Sequence, residues 1–165
     1  MNDRKKVNIY TDGGCLGNPG PGGYGVVLRY GPHEKRLSAG FRLTTNNRME
    51  IMAAIAGLEA LKDPCQVTLY SDSKYLVDAM TLGWVTRWKA RGWKRNKTDR
   101  ALNVDLWQRL LDLCARHDVR FQWVKGHAGH PENEACDALA NQAAVRSDLP
   151  PDPGYDQIGR ASCRE

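Results

Sequence analysis

Four carboxylates stand where acidic side chains can do chemistry. Asp12 and Asp72 each follow a run with strand periodicity, Val7–Thr11 and Gln66–Tyr70. In open α/β sheets, ligands collect at the carboxyl ends of strands, where the strand order reverses. If the two strands are parallel neighbours, the two carboxylates face each other. The plainer role for either one alone is capping of a turn or helix. Glu50 falls in the first turn of a helix whose centre, Ile51 to Leu58, is apolar nearly all round. The helix dipole favours an anion there, but burial without a partner is costly. Asp137 lies in a last helix beside Ala138, Leu139 and Ala140, where a surface aspartate is the plainer role. His127 stands ten residues earlier, in a loop; such a histidine is ordinarily just solvated, yet its pKa suits proton transfer. A cluster of these carboxylates would repel itself, so its members would titrate high or be held by a multivalent cation. Donors that are all oxygen suit Mg²⁺ or Mn²⁺. Two such ions about 3.5–4 Å apart can hydrolyse a phosphodiester.

A second constellation is basic and aromatic. Between Trp84 and Arg100 there are seven cations (Arg87, Lys89, Arg91, Lys94, Arg95, Lys97, Arg100) and one anion, Asp99, a net +6. The whole chain carries +5, so the other 148 residues sum to −1. The excess is a patch, not a diffuse bias, and a basic patch is an electrostatic footprint for polyanions. Trp84, Trp88 and Trp93 interleave with the cations, and the first two are four apart, on one helical face. Cations neutralise phosphates, and indoles pack on sugars or bases. The alternative is that the indoles anchor a helix to the core. Binding through such a patch is salt-sensitive and weakly sequence-specific.

The elements that must position these groups follow from periodicity and breakers. Strands are expected at Val7–Thr11, Tyr24–Tyr30, Lys35–Leu43, Gln66–Tyr70 and Val119–Val124, the second and third joined as a hairpin through Gly31–Glu34. Gly13 to Gly23 reads as a loop by composition. Helices are expected at Arg48–Leu61 after the capping run Thr44–Asn47, at Ser73–Leu82, in the basic segment, at Val104–Arg116 with Asn103 as its cap, and from Pro131 to about Arg146. Three meandering strands followed by αβ units imply an α/β fold with a mixed sheet and helices on its faces.

The 165 residues fit one domain, 1–147, with a basic protrusion at 84–100. Residues 148–165, rich in Pro, Asp and Gly, read as a poorly ordered tail whose last residues look foreign to the domain. Hydrophobic residues are 41% and charged residues 26%, which excludes a disordered chain. No run approaches the roughly 20 apolar residues of a membrane span, and no apolar signal core follows the charged start. Five cysteines, an odd number without a C-x-x-C, disfavour a disulfide scaffold. The spacing of Cys15, His127, His130 and Cys136 fits no compact zinc finger. A cytoplasmic monomer that needs no membrane and no obligate protein partner is the expectation.

Several of these stretches together resemble the type 1 ribonuclease H family, most closely its bacterial ribonuclease HI group. They are Tyr10-Thr11-Asp12-Gly13, Gly17 to Gly25, Thr44 to Glu50, Ser71-Asp72-Ser73, Asn103 to Trp107 and Trp123 to His130. The resemblance runs from Lys6 to about Tyr155. It implies a ribonuclease H-like fold, a five-stranded sheet of order 3-2-1-4-5 with the first three strands antiparallel. It implies an endonuclease that cuts the RNA strand of RNA–DNA hybrids by a two-metal-ion mechanism, leaving 5′-phosphate and 3′-hydroxyl ends. Carried over residue by residue, it makes Asp12, Glu50, Asp72 and Asp137 ligands of two Mg²⁺ ions, with Mn²⁺ able to substitute. His127 takes the role of a mobile-loop histidine that assists proton transfer or product release. Cys15, Asn18, Asn46 and Asn47 would read the RNA strand along the minor groove, where 2′-hydroxyls mark RNA. Thr45 and Asn103 would hold a phosphate of the DNA strand. Trp84 and Trp88, with Arg87, Lys89, Arg91, Trp93 and Lys94, would face that strand from the protrusion.

Two positions depart from the group's pattern: Gly14, where serine is common, and Lys74, where glutamine is common. Lys74 is two residues from Asp72 and could add a phosphate contact or tune the metal site. No hybrid-binding extension is visible ahead of the domain, so affinity would rest on the domain itself. A non-catalytic hybrid-binding module is disfavoured because it would not need four carboxylates. A junction-cutting nuclease of the wider superfamily is disfavoured by the basic protrusion and the asparagines.

Overall fold

The computed structural model describes residues 4–126 and 130–158. Its strands are β1 (Lys5–Cys15), β2 (Gly20–Tyr30), β3 (His33–Thr44), β4 (Cys65–Ser71) and β5 (Asp118–Trp123). Its helices are α1 (Asn46–Glu59), α2 (Lys74–Thr81), α3 (Trp84–Ala90), α4 (Val104–Arg116), α5 (Pro131–Ala144) and α6 (Pro153–Ile158). The strands form one sheet of order β3-β2-β1-β4-β5. β1, β2 and β3 pair antiparallel, whereas β1–β4 and β4–β5 pair parallel. The switch of direction therefore lies between β1 and β4. The predicted hairpin closes with Tyr30 opposite His33 around a two-residue turn, its first residue, Gly31, at φ 56°.

Side-chain alternation assigns the two faces of β1. Ile9, Thr11 and Gly13 turn toward α1, which also packs on α2 and α4. Tyr10 and Asp12 turn toward α5, which covers β1, β2 and β3. On the first face, Ile51, Ile55 and Leu58 of α1 meet Ile9, Val67 and Leu69 of the sheet and Leu76, Trp107 and Leu110 of the outer helices, all buried. α1 is buried on nearly every side because its small residues, Ala53, Ala54 and Gly57, let the sheet and two helices close around it.

The glycine-rich stretch Gly13–Gly23 corrects the sequence reading. Only Leu16–Pro19 lie outside strands; β1 continues to Cys15 and β2 begins at Gly20. Gly13, Gly20, Gly22 and Gly23 serve close packing, whereas Gly17 turns the short connection at φ 82°. A methyl group at Gly13 would run into the backbone of Met49 and Glu50, and one at Gly25 into the carbonyl of Cys136 on α5. Gly25→Ala is therefore expected to lift α5 from the sheet, costing about 1–3 kcal/mol. Thermal unfolding reads it, and an unchanged Tm would contradict this packing.

Two further expectations are corrected. Asn103 precedes α4, but its side chain makes no capping bond; its backbone is left-handed at φ 62° and its amide is engaged elsewhere. The supposed tail is docked over residues 149–155: Pro150 O accepts from Arg42 N at 2.9 Å, and Asp152 and Tyr155 are buried. Prolines and aspartates read as disorder only when nothing binds them. Here Asp152 meets a buried guanidinium, Arg48, at 2.7 Å. Among the described residues Cys15, Cys65, Cys114 and Cys136 are not joined in disulfides. Among the described residues no helix is long and apolar enough to cross a membrane.

Candidate active site

Parallel pairing of β1 with β4 ends its register at Tyr10 opposite Tyr70, whose rings stack at 4.7 Å and 8°. Two residues on, the same register brings Asp12 beside Asp72. Thr11, fully buried, ties the strands by donating from Oγ1 to Tyr70 O at 2.9 Å. Asp72 sits in the turn into α2, whose cap is Ser73: Ser73 Oγ accepts from Leu76 N. The Asp72 backbone is held from β5, where Trp123 Nε1 donates to Asp72 O at 3.3 Å. Glu50 arrives from α1, one turn further in than expected because the helix already begins at Asn46, and the missing side chain at Gly13 lets that helix onto β1.

The outcome is a cluster. One carboxylate oxygen each from Asp12, Glu50 and Asp72 lie within 4.8 Å of one another. Asp137, on α5, lines the same cavities as Asp12 and Asp72 but stands outside this tightest trio. Electrostatics follow from crowding. Burial, then Asp72 and Asp137, push the Asp12 carboxyl up to about 8, against the backbone N–H of Gly13, which donates to Oδ1 at 2.9 Å. Burial, then Asp12 and Asp72, raise Glu50 well above the usual carboxylate range. Glu50 Oε1 is buried and has no hydrogen-bond partner. A buried anionic oxygen without a donor is costly. Three converging carboxylates and that orphaned oxygen fit a divalent cation bound through oxygen.

His127 lies outside the described residues. Sequence reasoning missed His130, Asn133 and Glu134, which line the cavity with Asp12, Asp72 and Asp137. The signal was available, because Asn133, Glu134 and Asp137 are four and three apart on α5 and share a helical face. Gly126 was also missed: a Cβ there would stand 3.0 Å from Asp72 Oδ2, so the backbone after β5 passes close over the cluster. The Lys74 ammonium rests 4.9 Å from the centre of the exposed Trp123 ring, a cation–π contact, and is not aimed at the cluster through a bond. Gly14 has room for a side chain, the nearest atom to a Cβ being Asn46 Oδ1 at 3.7 Å.

The asparagines come together beside the cluster. Cys15 N donates to Asn46 Oδ1 at 2.7 Å, and Asn46 N donates to Asn18 Oδ1 at 3.1 Å, joining the β1–β2 turn to the start of α1. Asn47 is half-buried and lines a cavity with Asp12, Glu50 and Asp72. Thr45 caps α1, its Oγ1 accepting from Arg48 N, and is buried. In the basic segment Arg87, Lys89, Arg91 and Lys94 are exposed, whereas Trp84, Trp88 and Trp93 are half-buried against the core. Trp88 meets Trp107 edge-on at 6.3 Å and Trp84 at 6.4 Å. The indoles therefore anchor the segment, and the cations form its outer surface.

A family model described as RNase H matches residues 4–145. Ribonuclease H of Syntrophus aciditrophicus is 69% identical over 152 residues, covering 92% of this chain and 88% of that protein. Ribonuclease H of Rippkaea orientalis is 64% identical, covering 96% and 98%. Among solved structures, LC9-RNase H1, a type 1 RNase H with the type 2 active-site motif, superposes with a TM-score of 0.79 at 34% identity, covering 99% of this chain and 87% of that one. LC11-RNase H1, solved in complex with an RNA/DNA hybrid, gives 0.61 at 28% identity, covering 84% and 96%. The match spans the sheet, the carboxylate cluster and the basic segment alike: the chain belongs to the ribonuclease H family.

Proposed function

We propose that this chain is an endoribonuclease that hydrolyses the RNA strand of RNA–DNA hybrids at the Asp12–Glu50–Asp72 cluster, leaving 5′-phosphate and 3′-hydroxyl ends. The observation that carries it is the buried, partnerless oxygen of Glu50 among three carboxylates within 4.8 Å. Asp12, Glu50, Asp72 and Asp137 would hold two Mg²⁺ ions, with Mn²⁺ able to substitute. When bound, such ions supply an activated water and stabilise the departing oxygen. The chain's own residues do the rest. Gly13 and Gly126 keep the floor and rim of the cluster free of side chains, and His127 assists proton transfer or product release. Cys15, Asn18, Asn46 and Asn47 read the RNA strand, and Thr45 and Asn103 hold a phosphate of the DNA strand. The exposed cations of 84–100 neutralise further phosphates. The related LC11 enzyme, solved on a hybrid, supports this substrate.

An end-labelled hybrid, incubated with Mg²⁺ or with EDTA beside single-stranded RNA, duplex RNA and duplex DNA, tests the proposal. Cutting that needs the metal and is confined to the RNA of the hybrid is expected. Binding without cutting, in either metal and across pH, would make the chain a hybrid-binding module.

Electrostatic attraction by the basic segment makes a separate prediction. Log–log plots of affinity against salt fall with a slope near −0.9 per phosphate neutralised on B-form DNA, and a hybrid should behave comparably. Arg87→Ala, Lys89→Ala and Arg91→Ala together should flatten that slope by about 2–3, weakening binding similarly for all hybrid sequences. An unchanged slope would remove these cations from the interface.

A further inference from the structure

Asp152 lies beyond the residues the family model matches, 4–145, yet it is built into the interior. Its Oδ2 accepts from Thr44 Oγ1 and from Arg48 Nε, both at 2.7 Å, and its Oδ1 from Arg48 Nη2 at 3.1 Å. The same guanidinium donates from Nη1 to Asp105 Oδ1 at 2.9 Å and to Asn103 Oδ1 at 3.3 Å, and from Nη2 to Asp105 Oδ2 at 2.7 Å. A guanidinium has five N–H donors in one rigid plane. Here five bonds account for all five, so the plate has no freedom to turn. The carboxyl-terminal segment is shaped to this plate: a Cβ at Gly154 would collide with Asp105 and Arg48.

One residue at the other edge depends on the plate, Asn103; its neighbour Thr45 caps α1 through the backbone N–H of Arg48 and is held independently of the guanidinium. Asn103 holds a left-handed backbone at φ 62° and makes no cap for α4. Its Oδ1 rests on Arg48, and its Nδ2 reaches Tyr75 Oη at 3.4 Å. Fixing Oδ1 fixes the direction of the amide N–H groups, which are what a phosphate oxygen would accept from.

We infer that the carboxyl-terminal segment is a positioning element for the hybrid: Asp152 locks the Arg48 guanidinium, and that guanidinium aims Asn103 at a phosphate of the DNA strand, beside Thr45. The inference rests on the reading of Thr45 and Asn103 as phosphate contacts. Without Asp152 the guanidinium is held only from the Asp105 side, and the Asn103 amide loses its fixed direction while the carboxylate cluster is untouched. Asp152 is thus a positioning residue acting on substrate affinity, not on the chemical step.

Asp152→Ala, Asp152→Asn, Asn103→Ala and the Asp152→Ala/Asn103→Ala double variant separate the possibilities, with KM and kcat for a hybrid measured at fixed salt well below each Tm. Asp152→Ala is expected to raise KM about 3–10-fold, within the range shown by coupled members of one hydrogen-bonded network, with kcat within about twofold. Asp152→Asn, which keeps one acceptor oxygen, should fall between, and it carries the same comparison if the alanine variant does not fold. In the Asn103→Ala background, Asp152→Ala should add nothing to KM. A lower Tm with unchanged KM would overturn the inference and leave Asp152 a purely stabilising clasp; additive effects on KM would also overturn it. If Asn103→Ala itself leaves KM unchanged, the phosphate reading has failed instead, and the inference falls with its premise.

Discussion

Asp12→Asn should abolish hybrid cleavage, by about 10³-fold or more, while hybrid affinity stays within a few-fold. The amide keeps the shape of the side chain and removes its charge. Asp12 shares the tightest part of the cluster with Glu50 and Asp72, so the charge it loses is one that would hold the proposed divalent cation. Loss of one electrostatic contributor to a transition state typically costs about 10²–10³-fold, and loss of a metal ligand more. Affinity survives because the proposed phosphate contacts lie on the start of α1, the start of α4 and the basic segment. Cleavage at the native rate would sink the assignment of Asp12.

The same variant carries an opposite effect on stability, with a definite sign. Burial and then the neighbouring aspartates push the Asp12 carboxyl up to about 8 from a reference of 3.8. The folded protein therefore binds that proton more tightly than the unfolded chain. By linkage, the favourable contribution is fully present below the reference value and is lost as pH rises through about 8. In metal-free protein, Asp12→Asn has no such loss. Its Tm should exceed that of the native chain at pH 8–9, and the two should converge near pH 4. Mg²⁺ should narrow the gap at high pH by raising the native Tm alone. Parallel Tm profiles across this range would mean that the carboxylates do not destabilise one another. An active site that costs stability until it is filled is the expected trade between folding and function.

How far the sequence could be read depended on whether the deciding interaction was local. Strand periodicity placed all five strands, and the direction switch between β1 and β4 brought Asp12 to Asp72 as the strand-end positions suggested. Glu50 was legible because an acid on an otherwise apolar helix has few structural uses. The misread stretches were those decided at long range. Gly13–Gly23 has loop composition, but its strand character is imposed by helices that need bare backbone beneath them. Asn103 looks like a cap, but its amide goes to Arg48, fifty-five positions away. The segment around Asp152 looks disordered until Arg48 is brought 104 positions back to meet it. The tryptophans of the basic segment fitted two readings; Trp88 packs against Trp107, which supports anchoring, and the partial exposure of all three indoles keeps the strand-facing role as a proposal. Nothing in local spacing reports which side of an indole faces the core.

The second large effect falls on stability alone. Arg48→Ala should destabilise the protein by about 3–5 kcal/mol, the usual cost of removing one partner from a buried ion pair. For a chain of this size that lowers Tm by roughly 6–20 °C. Most of the cost lies in what is left behind. The Arg48 side chain is 3% exposed and that of Asp152 7%, so the variant strands an aspartate where water cannot reach it. Asp105, at 32%, can turn to solvent and suffers less. If stranding is the cause, replacing both partners should cost less than replacing one. Arg48→Met with Asp152→Leu should recover most of the lost Tm, because apolar side chains of similar volume need no partner. The pH profile adds an independent check. Burial opposes ionisation of Asp105, but hydrogen bonds from Arg48 outweigh it and hold the carboxyl below the usual range. That contribution is present above the reference value of 3.8 and is lost as pH falls through the depressed one. The native protein should therefore lose stability in acid that Arg48→Ala no longer has to lose, and their Tm values should draw together below pH 4. A double variant as unstable as the single one would show instead that the hydrogen-bonded plate itself, not the stranded charge, holds the three segments together.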